Sequence, residues 1–167
     1  MKWWENEKIS VAWTVVRIWL GMKWLEAGWH KVNDGFDASG FLQGAIAKAT
    51  GEHPAVQNWY AAFLKGFALP NVELFNLMIP WGEMLVGIGL IAGLMTIPAL
   101  IAGAFMNLNF LMAGTVSTNP ILLTVAFVLL FLGRGAYYWG ADHWIIPILR
   151  RNLYRKKDDH HKKALIV

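Results

Sequence analysis

Three long apolar stretches limit what this chain can fold into. They run from about Val72 to Leu94, Ile97 to Gly114 and Asn119 to Ala141. At about 1.5 Å per helical residue, each is long enough for roughly 30 Å of bilayer hydrocarbon. A fourth stretch, from about Ile9 to His30, is weaker because it holds Arg17, Lys23 and Glu26. Of the 167 residues, 56% are hydrophobic and only 16% are charged, too few to cover a soluble surface. The expected fold class is therefore all-α: one integral membrane four-helix bundle spanning at 9–30, 72–94, 97–114 and 119–141.

The N-terminus reads as a retained helix. Lys2 and Lys8 make a weak basic region, but Arg17, Lys23 and Glu26 interrupt the apolar run and no small-x-small cleavage site follows. Seven of the fifteen basic residues lie in the tail: Arg150, Arg151, Arg155, Lys156, Lys157, Lys162 and Lys163. A basic tail after a hydrophobic helix first signals a cytoplasmic end and contact with anionic lipid headgroups, not nucleic acid. With four spans, both termini are cytoplasmic and the 32–70 connection is extracytoplasmic.

That connection has helical patterning. Asp37 and Ser39 can cap a helix starting near Gly40, and Gly51 can stop it. Val56, Trp59, Tyr60, Phe63, Leu64 and Phe67 then follow one apolar stripe. Two short amphipathic helices on the membrane surface or capping the bundle fit this pattern, and so does a small extramembrane hairpin.

Polar residues inside the spans carry the functional reading. Arg17 is placed slightly inside the midplane, Glu83 and Asn107 near the middle of their helices, and Arg134 and Asp142 toward the inner end. An ionisable group in hydrocarbon costs about 2.5–3.5 kcal/mol on insertion scales, so such groups pair, snorkel or work. The spacing predicts a cluster of Glu83 with Arg17, Arg134 or both. It can serve as an ion-pair staple, or as a pocket for the head of a lipid-soluble ligand. Arg17, Gly21, Trp24, Gly28 and Lys31 share a helix face, where the glycines admit a neighbour, and Lys23 can pair with Glu26.

Other chemistries fit poorly. With no cysteine there is no disulfide, thiolate or iron–sulfur ligation. His30 and His143 end helices on opposite sides of the bilayer, about 30 Å apart, so they cannot share a haem. His160-His161 reads as solvated tail sooner than a metal site, and no metal is expected. Tyr137, Tyr138, Trp139, His143 and Trp144 suit an interfacial belt.

Arg17-Ile-Trp-Leu-Gly21 through Ala27-Gly28-Trp-His-Lys31 resembles the first-helix signature of the DoxX/DoxD family. Pro80-Trp-Gly-Glu83, with Gly87, Gly89 and Gly93, resembles its second-helix Glu and trailing glycines. Gly133-Arg-Gly-Ala-Tyr-Tyr-Trp-Gly-Ala-Asp142 resembles its C-terminal motif, with features of the DoxD branch. The resemblance covers about 11–150. It implies a multi-pass protein of the prokaryotic plasma membrane, linked in DoxD-type members to thiosulfate:quinone oxidoreduction as one subunit of a two-protein complex.

The expected function is thus a quinone-interacting subunit of a membrane oxidoreductase. Glu83 would be the catalytic proton carrier. Arg17, Asn107 and Arg134 would bind ligand, while Gly21, Gly28, Lys31, Gly87 and Asp142 complete the motifs. The cofactor is a bound quinone, nothing covalent. The partners are the bilayer and a redox protein or a second copy. The alternatives are a non-catalytic assembly or anchor protein and, less favoured, a small transporter.

Overall fold

The computed structural model describes residues 6–149 and 151, and every regular element among them is helical. Most of the basic tail, the Trp3-Trp4 pair and His160-His161 lie outside the described residues.

Helix α1 (Glu7–Asp34) starts where the Asn6 side chain accepts a hydrogen bond from the Lys8 amide, and stops at Gly35 with φ 75°. A left-handed residue there closes the last turn onto the Lys31 carbonyl. Its 28 residues make it about 42 Å long. Helix α4 (Val72–Ala92) runs antiparallel to it, contains Pro80 and ends at left-handed Gly93. Helix α5 (Thr96–Met112) follows a three-residue turn, Gly93-Leu94-Met95, and α6 (Asn119–Leu132) begins with Pro120 in its first turn, where a missing amide costs nothing.

The expected fourth span of 119–141 is not continuous. It breaks at Gly133, with φ 53° and ψ −111°, a conformation open to glycine but strained for other residues. The short α7 (Arg134–Tyr137) then packs on α1, Trp139 meets Glu7 and Arg17 in the N-terminal half of that helix, and a further helical stretch follows at 141–149. Among the described residues, taken singly, only the Val72–Ala92 helix is both long and apolar enough to cross a bilayer; Thr96–Met112 and Asn119–Leu132 are apolar but shorter.

The bundle interior is built from Leu20 and Trp24 of α1, Val86 and Leu90 of α4, Leu100 and Ala104 of α5, and Leu122, Ala126 and Leu129 of α6. A second apolar cluster closes one end. In it α2 (Ala38–Ala47), α3 (Asn58–Phe63) and a π-helical turn (Leu64–Ala68) pack around Ala113 at the end of α5. Asp37 caps α2 as its sequence suggests, accepting from the Ser39 amide and hydroxyl; these bonds hold its carboxyl below the usual carboxylate range. Tyr60 Oη donates to the Asn109 backbone and side-chain oxygens at 3.1 Å, and burial pushes its phenol up. The connection therefore caps the bundle. Its apolar stripe divides in two: Val56, Tyr60 and Leu64 point inward, whereas Trp59, Phe63 and Phe67 are exposed.

Candidate functional site

Two polar sites form because α1 and α4 touch backbone to backbone. A Cβ added at Gly87 would lie 2.5 Å from the Leu25 nitrogen and 2.8 Å from the Gly21 oxygen. One added at Gly28 would lie 2.7 Å from the Pro80 oxygen. No side chain larger than hydrogen fits at either position. This contact sets the register that brings Lys31 beside Glu83 at one level and Arg17 beside Gly93 at another.

At the capped end, Lys31 Nζ donates to both Glu83 carboxylate oxygens, at 2.9 and 2.7 Å. The Glu83 side chain is buried and that of Lys31 is 27% exposed. The same ammonium lies 5.8 Å from the centroid of the Phe36 ring, within cation–π range. A cavity of about 520 Å³ opens beside the pair, with Trp24, Phe36, Phe41 and Phe110 on its walls and Asn107 at its edge. Asn107 is fully buried, yet neither its amide nitrogen nor its carbonyl oxygen has a partner among the described residues. Burying an unpaired amide is costly, which sets Asn107 apart from the hydrogen-bonded polar groups around it.

At the opposite end, Arg17 is equally buried. Its Nη2 donates to the Trp139 carbonyl at 3.0 Å, while Nε and Nη1 have no acceptor among the described residues. The guanidinium lies against Gly93 and Gly140, where added Cβ atoms would meet Nη1 at 1.8 and 2.7 Å. Asp142 supplies the nearby negative charge. It also caps α5, its two oxygens accepting from the amides of Met95 at 2.8 Å and Thr96 at 2.6 Å. The Asp142 amide donates in return to the Gly93 carbonyl at 2.8 Å. Arg17 and Asp142 thus lock the α4–α5 turn to the segment after α7.

The expected single cluster is therefore two. Glu83 pairs with neither Arg17 nor Arg134. Arg17 stands 14 residues before Lys31, about 21 Å away along α1, level with the α4–α5 turn and not near the bundle middle. Arg134 is exposed at that same end, beside a hollow of about 240 Å³ walled by Tyr137, Tyr138 and His143. Of the anticipated ligand-binding residues, only Asn107 joins Glu83. Lys31, assigned above to the motif alone, is the partner of Glu83; its place on the Arg17–Gly21–Gly28 face was the available signal. Lys23 does pair with Glu26, at 3.0 Å.

The profile of the DoxX family matches residues 12–117, which include Arg17, Gly21, Gly28, Lys31, Glu83, Gly87 and Asn107. The chain belongs to the DoxX family. The match spans the glycine contact and both members of the Lys31–Glu83 pair, while Arg134 and Asp142 lie beyond it. No curated protein and no solved structure matches the chain. As a DoxX protein it is read as a membrane protein, in keeping with its apolar exterior.

Proposed function

We propose that this DoxX protein is a four-span membrane bundle that binds a quinone head beside Glu83, Lys31 and Asn107, as the quinone-interacting subunit of a membrane oxidoreductase. The membrane reading draws on an inverted distribution of polarity. Arg17, Glu83 and Asn107 are among the largest fully buried side chains, while Leu85, Phe105, Phe127 and Phe131 are 58–74% exposed. In water this would strand polar groups inside and expose a broad apolar surface; in lipid it is the favourable arrangement. The α5 and α6 helices, too short alone, reach across with the turns at their ends.

The observation that carries the ligand reading is the orphaned Asn107 amide at the cavity. A quinone oxygen would accept from its N–H, and the flat ring would lie among Phe36, Phe41 and Phe110. Reduction of a quinone to quinol takes two electrons and two protons. Glu83 and Lys31 would pass protons to the quinone oxygen, and Lys31 would offset negative charge there. The electrons would come from a reduced donor, a sulfur oxyanion such as thiosulfate on the DoxD-type reading, through a partner protein.

The test is solvent extraction of detergent-purified protein with chromatographic measurement of bound quinone. Near-stoichiometric quinone in the native chain, lost in Asn107→Leu, is the expected result. No quinone above that carried by an unrelated membrane protein would sink the reading. It would then favour the second one, an anchor for a redox partner, which the exposed Trp59, Phe63 and Phe67 support.

A further inference from the structure

The Lys23–Glu26 pair is in an unusual place. Between Arg17, level with the α4–α5 turn, and Gly35, where α1 ends, the helix is about 27 Å long, and Lys23 stands about 9 Å along it. Its side chain and that of Glu26 are 48% and 58% exposed, deep in what would be hydrocarbon. Even as an ion pair, charged groups left open at that depth favour water or another protein over lipid, which solvates them poorly.

Their surroundings favour water. Lys23, Glu26 and His30 line the same cavity as Lys31 and Glu83. Thr115, Ser117 and Thr118 of the α5–α6 turn and Asn119 at the start of α6 also line it, again polar. Lys23, Ala27, His30 and Asp34 follow spacings of 4, 3 and 4, one continuous stripe on α1. It leads from the cavity to the capped end, where the His30 and Asp34 side chains are 68% and 77% exposed. The exposed Met22 and Trp29 adjoin this stripe on the side turned toward α4, where they share a second, apolar hollow with Glu26 and His30.

We infer that the gap between α1 and the start of α6 is a water-filled vestibule, open at the capped end, that admits water and small hydrophilic solutes to the Lys31–Glu83 pair. The inference rests on the spanning bundle proposed above but not on the identity of its ligand. The site is then reached from both phases: an apolar molecule from the bilayer, and a water-borne co-substrate or proton through the vestibule. The groups around the pair are Lys23, Glu26 and His30 from α1, with neutral Asn107 and Asn119 from α5 and α6.

The chain has no cysteine, so single cysteines report directly. Ala27→Cys and Thr118→Cys would be placed in the full-length protein in sealed, sided vesicles. Glu52→Cys in the connection serves as the aqueous control, and Leu85→Cys and Phe105→Cys as lipid-facing controls. The thiolate, a form that needs water, attacks the sulfenyl sulfur of a charged, membrane-impermeant methanethiosulfonate, forming a mixed disulfide and expelling methanesulfinate. Added from the side of Glu52→Cys, the reagent should modify the two vestibule positions about ten-fold or more faster than the lipid-facing ones. Vestibule positions as slow as Leu85→Cys would overturn the proposal. Protection combined with disulfide cross-linking between copies at Ala27→Cys would overturn it in favour of a subunit interface. Rapid labelling of Leu85→Cys and Phe105→Cys would overturn the spanning bundle itself, whatever the quinone extraction shows.

Discussion

Lys31 Nζ bridges both carboxylate oxygens of Glu83, joining two helices at positions 52 residues apart in the chain. The contact is possible because Gly28, one turn before Lys31, lets α1 rest on the Pro80 carbonyl. Removing one partner of a buried ion pair leaves an uncompensated charge and typically costs about 3–5 kcal/mol, whereas an apolar replacement of both is often close to neutral. Lys31→Met should therefore lower the thermal midpoint in detergent sharply, and Lys31→Met with Glu83→Met should recover most of the loss. Additive losses in the double variant would show that the two residues stabilise the bundle independently.

The glycine contact predicts a contrast between helical glycines. At Gly87 an added methyl meets the Leu25 backbone, which cannot rotate aside, and overpacking of this kind costs about 1–3 kcal/mol. At Gly44 in α2 there is nothing within 4 Å, and alanine is the better helix former by roughly 0.5–1 kcal/mol. Denaturation curves should thus move in opposite directions for Gly87→Ala and Gly44→Ala. Equal shifts would mean that the α1–α4 approach is looser than described.

Gly35 and Gly93 both end helices in the left-handed region, with φ 75° and 64°. The backbone strain of an alanine is shared by the two sites, but only Gly93 faces the Arg17 guanidinium and Gly140. Gly93→Ala should be clearly more destabilising than Gly35→Ala, and the difference measures the Arg17 packing. If Arg17→Ala in the Gly93→Ala background gave no relief, the clash would not be the cause.

Asp142 holds the first turn of α5 through two backbone amides. Losing a capping side chain costs about 0.5–2 kcal/mol, and Asp142→Ala also leaves Arg17 without its nearby carboxylate. Asp142→Asn keeps one acceptor and should fall between the native chain and Asp142→Ala in melting temperature. A native-like Asp142→Ala would remove the lock between the α4–α5 turn and the C-terminal segment.

The sequence by itself determined that the chain is helical, where three of its long helices run, and which residues are out of place in an apolar interior. These are local properties: 3.6-residue periodicity, capping by Asp37 and composition along single helices. The Arg17–Gly21–Gly28–Lys31 face was equally legible, since it needs only the pitch of one helix. Tertiary structure alone decided how the faces combine. The register of α1 on α4 depends on which glycines interlock, and it sends Lys31 to Glu83 and Arg17 to Gly93, about 21 Å apart along α1. Depth along a helix could not be read without knowing where the bundle ends, so Arg17 was expected too near the middle. The break at Gly133 is a single backbone torsion inside a continuously apolar run, and hydropathy does not register it. It turns Arg134 away from the buried sites and folds Asp142 back to cap α5, a contact set by the packing of distant segments.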